Sequence, residues 1–162
     1  VTARGVGQEL HASPKVIFSL FENMEQLHAA VLQAADEVYQ SFLREDMAAG
    51  RYPPYKASGM AYLRFAKEER ELFRLLFMRD RSREAPSPGG QEVEGLIRLI
   101  QASTGLDEAQ ARQFHLEMWI YVHGMATMIA TGYLSWDENQ ADAMLTDAYR
   151  GFVRRYHAKE GT

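Results

Sequence analysis

The sequence predicts an all-α protein, on three observations. Apolar residues recur at spacings of three and four along most of its length, no stretch alternates with the period of a strand, and capping and stop residues punctuate the pattern. The first element opens at Thr2, whose hydroxyl can cap a helix, and Val6 and Leu10 give that helix one apolar stripe. His11 and Ala12 form the break. Ser13 is a second cap, followed by Pro14 at the first helical position, where a missing N–H costs nothing. Val16, Ile17, Leu20 and Phe21 then form the apolar face of a short second helix.

Asn23 caps a long third helix to about Ala49, with Leu27, Ala30, Val31, Ala34, Val38 and Phe42 on one side, and Gly50 stops it. Arg51 to Pro54 is a short rigid link. The next helices, about Tyr55 to Glu68 and Glu71 to Met78, place Tyr62, Phe65, Leu72, Leu75 and Leu76 on buried faces. Arg79 to Gly90 is charged and then rich in Pro, Ser and Gly, the composition of a surface loop. Val93, Leu96, Ile97 and Ile100 mark a helix over Gln91 to Ser103, which Gly105 ends; Asp107 caps a long helix to about Thr131, and Asp137 begins the last, to about Tyr156.

Composition narrows the function classes. A chain of 162 residues fits one domain, or a larger domain with a small module. The absence of cysteine excludes a disulfide framework and a thiolate metal site, and it suits a reducing, cytoplasmic location. Met118 to Trp136 is the longest apolar run free of Asp, Glu, Lys and Arg, but with His123, Gly124 and several threonines it reads as a buried core helix and not a membrane span. No Gly-rich phosphate loop, nucleophile elbow or HExxH is present. Glu25-Gln-Leu-His28 matches the Glu-x-x-His of helical di-iron bundles, but it has no second copy and reads as a solvated face. His115 and His123 are two turns apart, too far to hold one metal without a ligand from elsewhere. No catalytic residue, metal or cofactor is expected.

The segment SPKVIFSLFENMEQL, with Ile17, Phe18, Phe21, Asn23, Glu25 and Leu27, resembles the recognition-helix region of TetR-type regulators. Tyr55 to Phe77 and Met118 to Trp136 resemble the ligand-binding domain of a TetR subgroup marked by Trp, His and Gly, here Trp119, His123 and Gly124. The resemblance implies a truncated helix-turn-helix DNA-binding module over residues 1–22, a long connecting helix over 23–50, and a larger helical bundle for effector binding and dimerisation over 51–162. The sequence starts at what resembles the second helix of the family's three-helix module. Either the complete protein is longer or the module is damaged; an apolar face on Val6 and Leu10 without a partner favours the longer protein.

The resemblance puts the second helix in the major groove, with Lys15, Ser19 and Leu20 as its exposed candidates to meet bases or phosphates, and Thr2, Arg4 and Ser13 placed for phosphates. Phe18 stands where the family often has a phosphate-reaching Tyr, and Met24 where a Lys is common. Net charge is −4, and Arg4 and Lys15 are balanced by Glu9 and Glu22, so the amino-terminal segment concentrates no positive potential. The effector pocket is expected from Met60, Tyr62, Phe65, Phe77, Trp119, His123, Met125 and Met128, whose alternative is an ordinary Met and aromatic core stripe, with His123 a satisfied core histidine. A two-fold pairing of the last two helices is expected through Ala126, Thr127, Ala130, Ala141, Met144, Leu145, Ala148 and Phe152, against intrachain packing of the same residues. The function implied is a ligand-responsive transcriptional repressor, a homodimer on a near-palindromic operator, released by a small apolar or aromatic effector. The alternative is a helical dimer that binds a ligand or protein and no DNA.

Overall fold

The computed structural model describes residues 2–9, 11, 13–80 and 91–159; the expected loop over 81–90, Leu10 and the side chain of Ile17 lie outside the described residues. The described residues form eight helices and no strand: α1 (Ala3–Glu9), α2 (Pro14–Leu20), α3 (Met24–Ala49), α4 (Pro54–Glu68), α5 (Arg70–Phe77), α6 (Gln91–Thr104), α7 (Glu108–Ala130) and α8 (Glu138–Lys159). The protein is all-α. It divides into two compact units, Val1–Val38 and Tyr39–Thr162, with α3 contributing residues to both.

In the first unit, α1 packs against α2. The Thr2 hydroxyl oxygen accepts the Gly5 N–H at 3.1 Å, capping α1. The turn is carried by His11 at φ 49°, a left-handed conformation that a side chain adopts only at a cost. The Ser13 carbonyl accepts the Val16 N–H at 2.9 Å to start α2. At the start of α3, Asn23 Oδ1 accepts the Gln26 N–H at 2.9 Å while Gln26 Oε1 accepts the Glu22 N–H at 2.6 Å, so one pair of side chains satisfies two orphan donors.

In the second unit α4 and α7 form the central pair, packed most extensively against each other, and each also packs against α5, α6 and α8. Small residues allow that approach: Ala57, Ala61 and Ala66 on α4 and Ala111 and Ala126 on α7 are fully buried. A Cβ on Gly59 would lie 3.3 Å from Leu145 Cδ1, tighter than an ordinary contact, so α4 and α8 approach closely there. Leu63, Phe65, Phe73, Ile97, Ile100 and Phe114 fill the core. Asp107 and Gln110 form a reciprocal capping box on α7, with bonds of 2.8 and 3.0 Å, and Asp137 Oδ1 caps α8 through the Gln140 N–H at 2.8 Å. Gly50 and Gly105 take the positive φ expected of helix stops. Helix α7 ends at Ala130, before Gly132 at φ 76°, and no helix among the described residues is long and apolar enough to cross a membrane.

One buried charge organises the junction of α3, α4 and the link after α3. Asp46, 6% exposed, receives Arg64 at 3.2 Å and Arg51 at 3.4 Å, and Arg51 also reaches Glu138 on α8 at 3.2 Å. Removing one partner of a buried pair is costly, but Arg64 retains Glu45 and Glu68 and some solvent. Asp46→Ala is therefore expected to cost about 1–2 kcal/mol, read as a lower denaturant midpoint with unchanged slope.

Candidate functional site: a cavity bordered by tyrosine and histidine

Five helices of the second unit wall a cavity of about 1370 Å³, and Phe77 of α5 adds to its lining. Helix α3 presents Tyr39, Leu43 and Met47, four residues apart and so on one face. Helix α4 presents Tyr55, Gly59 and Tyr62, and α7 presents His115, Met118, Trp119 and Val122, again one stripe each. Leu96 and Leu99 of α6 and Leu145 and Tyr149 of α8 complete an apolar wall. Met118, Val122 and Leu145 are buried, whereas Met47 and Trp119 are 41% and 44% exposed, so the lining runs from interior to surface. An apolar lining with a few placed polar groups is what small-molecule sites require, and the volume exceeds the ~300–1,000 Å³ usual for drug-sized ligands.

The placed polar groups are two matched pairs between α4 and α7. Tyr55 Oη lies 3.1 Å from His115 Nδ1, and Tyr62 Oη lies 2.8 Å from His123 Nδ1. Burial pushes both tyrosines well above their usual range and both histidines below theirs. A neutral ring accepts the tyrosine proton at Nδ1 and carries its own on Nε2. Trp119, one turn before His123, stacks on it with ring centroids 5.0 Å apart and planes 14° apart. Tyr62 also meets Phe77 edge-on at 4.9 Å, Phe73 at 5.4 Å and Tyr39 at 5.8 Å, so its ring is fixed from several sides.

These pairs give a pH dependence with a definite sign. Because the folded histidines bind protons less readily than unfolded ones, the unfolded chain takes up protons first as pH falls. Stability is expected to be full above the ordinary histidine pKa of about 6.5 and to decline as pH drops below it. Thermal melts from pH 8 to 5 check this, and His115→Gln with His123→Gln should flatten the profile.

Of the residues expected from the sequence to form a pocket, Tyr62, Phe77 and Trp119 border the cavity. His123 stands immediately behind it, held by Tyr62 and Trp119. Met60, Phe65 and Met125 lie in the packed interior and are not among the lining residues, and Met128 is 44% exposed. Tyr39, Leu43 and Met47, Tyr55 with His115, and the α6 and α8 contributions were not expected. The spacing of Tyr55 and Tyr62 on α4, which nearly matches that of His115 and His123 on α7, was the available signal for the paired arrangement.

Of the residues expected to pair two copies, Ala126, Ala130, Ala141 and Leu145 are buried within this chain, while Thr127, Met144, Ala148 and Phe152 are partly exposed. Thr2, Arg4, Ser13, Lys15, Phe18 and Ser19 are all exposed. The Ser19 hydroxyl donates to the Val16 carbonyl at 2.7 Å. Among the described residues no group of three histidine or acidic side chains is placed to hold a metal ion.

Fold and cavity together define a class: an all-helical protein whose bundle surrounds a large apolar site with hydrogen-bonded tyrosine and histidine pairs at its wall. The family model described as tetracyclin repressor-like, C-terminal domain, matches residues 55–152, more than half of the chain, and the chain belongs to that family. The matched stretch includes Trp119, His123 and Gly124. No curated protein and no solved structure matches the chain.

Proposed function

We propose that this chain is a ligand-responsive transcriptional repressor of the cytoplasm, in which a small apolar or aromatic effector fills the cavity and shifts a homodimer away from its operator. The observation that carries this reading is the cavity, and in particular the part of its wall made by Tyr39, Leu43 and Met47. Those residues belong to α3, and the other half of that helix belongs to the unit containing α1 and α2. A ligand pressing on this wall acts on an element shared with the reading module. The effector relieves repression by binding the DNA-incompetent state more tightly, by about 1–3 kcal/mol in typical couplings.

In this reading α2 enters the major groove. Lys15, Phe18 and Ser19 face the DNA, and Thr2, Arg4 and Ser13 reach phosphates. Thr2 spends its oxygen lone pair on the Gly5 N–H but keeps its own proton to donate. The dimer face is proposed on α7 and α8, where Leu116, Ile120 and Met128 are exposed apolar residues, beside Thr127, Met144, Ala148 and Phe152. Gly124 and Gly151 support this. Each sits inside a helix at a cost of about 1 kcal/mol relative to alanine, and a Cβ at either would meet nothing within 4 Å among the described residues. Close approach of a second helix supplies the missing reason for glycine.

The test is binding of the purified protein to fragments of its own upstream DNA at stated salt, with and without extracts of apolar metabolites. Specific binding that an extract releases supports the regulator, and Arg4→Ala should weaken binding across all sequences alike. The neutral sum of Arg4, Lys15, Glu9 and Glu22 favours a second reading, a dimeric ligand- or protein-binding module that reads no DNA. A folded dimer without specific binding at low salt would select it. Ile120→Glu should shift the protein to monomer in sedimentation; an unchanged mass would remove α7 from the interface.

A further inference from the structure

We propose that the effector is an amphipathic anion, with a large apolar body inside the cavity and a carboxylate or other acidic headgroup held at its rim. This rests on the reading of the cavity as the effector site and names the chemistry that site selects. Among the described residues that line the cavity, the charged side chains are Arg44, Lys56, Arg98 and Arg150, and no aspartate or glutamate is present. The chain as a whole has 22 acidic against 18 basic residues, so an all-cationic lining runs against its composition.

The four cations also come from four different helices, α3, α4, α6 and α8. The solvated face of one helix cannot bring them to a single opening. They line one cavity because the bundle folds that way, with Arg150 close enough to Lys56 to act on its charge, and like charges along one lining raise the local positive potential. Elsewhere in the same unit Arg51, Arg64, Arg112 and Arg155 each pair with a carboxylate. Among the described residues, Arg44, Arg98 and Arg150 have no such partner, while Lys56 is held by Asp142 and donates to Thr146 at 2.7 Å. Burial and then the nearby Arg150 push the Lys56 ammonium below its usual range.

Position completes the argument. Arg44, Arg98 and Arg150 are exposed, whereas Met118, Val122 and Leu145 on the inner wall are buried and apolar. Polarity therefore runs from an apolar interior to a cationic mouth. A neutral apolar molecule uses only the first half of that gradient, and a cation is repelled by the second. A molecule with an apolar body and an anionic end matches both.

The probes are dodecanoate, dodecanol and dodecylamine, which share one chain and differ in charge, competing with the neutral solvatochromic dye Nile red on the full chain below their micelle concentrations. Dodecanoate is expected to displace the dye at a concentration at least about tenfold lower than dodecanol, with dodecylamine weakest, and rising salt should erode the advantage of the acid. The double variant Arg98→Glu/Arg150→Glu, both exposed positions, should bring the acid-to-alcohol ratio to one or below, with helical content by circular dichroism as the folding control. Equal displacement by acid and alcohol would overturn the anion while leaving an apolar effector site standing. Failure of the folded protein to bind the dye at all would instead remove the effector site itself, and the anion with it.

Discussion

Phe65→Ala is expected to destabilise the bundle by about 3–5 kcal/mol, the largest stability loss of any single truncation considered. Phe65 is fully buried on α4, and its ring lies 5.3 Å from Tyr39, 5.4 Å from Phe42, 6.5 Å from Phe73 and 6.4 Å from Phe77. Truncation removes the transfer free energy of the ring and leaves a void that four neighbouring rings on α3 and α5 cannot all collapse to fill. It also removes edge-to-face and tilted ring contacts, worth about 0.5–1.5 kcal/mol per pair beyond area. A thermal melt should show the midpoint lower by roughly 6–20 °C. Tyr133→Ala, at a position 80% exposed, is the control and should stay within about 0.5 kcal/mol. Similar midpoints for the two variants would mean that Phe65 does not sit in a packed core.

The all-α class and the helix boundaries were legible because their signals are local. Asn23, Asp107 and Asp137 cap helices through their own carboxamide or carboxylate, and Gly50 and Gly105 stop them through positive φ, all within a few residues of the helix end. The break between α4 and α5 rests on Glu69 alone, at φ −117° and ψ 53°, with no glycine or proline to announce it. The cavity was much less legible. On α3 the apolar stripe read from the sequence runs through Val38 and Phe42, whereas Tyr39, Leu43 and Met47, one position further round, are the residues that line it. A spacing of three or four identifies a face but not what lies opposite it. Met60 and Phe65 have the same composition as a pocket wall and are core: Met60 lies on another face of α4 than Tyr55, Gly59 and Tyr62, and Phe65, one turn beyond Tyr62, is enclosed by Tyr39, Phe42, Phe73 and Phe77. The cationic lining is a property of the fold: Arg44, Lys56, Arg98 and Arg150 come from four helices and border one cavity only when these pack.

Trp119→Ala should have the largest effect on ligand binding. Trp119 lines the cavity, is 44% exposed without ligand, and stacks on His123, which is hydrogen-bonded to Tyr62. An indole in that position offers a large flat contact and a free face, and truncating such an anchor typically costs 2 kcal/mol or more, about 30-fold in affinity. Its exposure means that folding stability should fall far less than for Phe65→Ala, and since the dimer is proposed on other residues, the dimer should survive. Removing the indole also uncovers His123, whose pKa is held down by burial, so its titration should rise toward the ordinary histidine value near 6.5. Nile red titration, sedimentation and histidine proton resonances against pH read these effects separately. Weaker dye binding with an intact dimer and a raised His123 titration supports a ligand wall built on the Trp119–His123–Tyr62 chain. Loss of the dimer with dye affinity unchanged would make Trp119 an interface residue and take it out of the effector site.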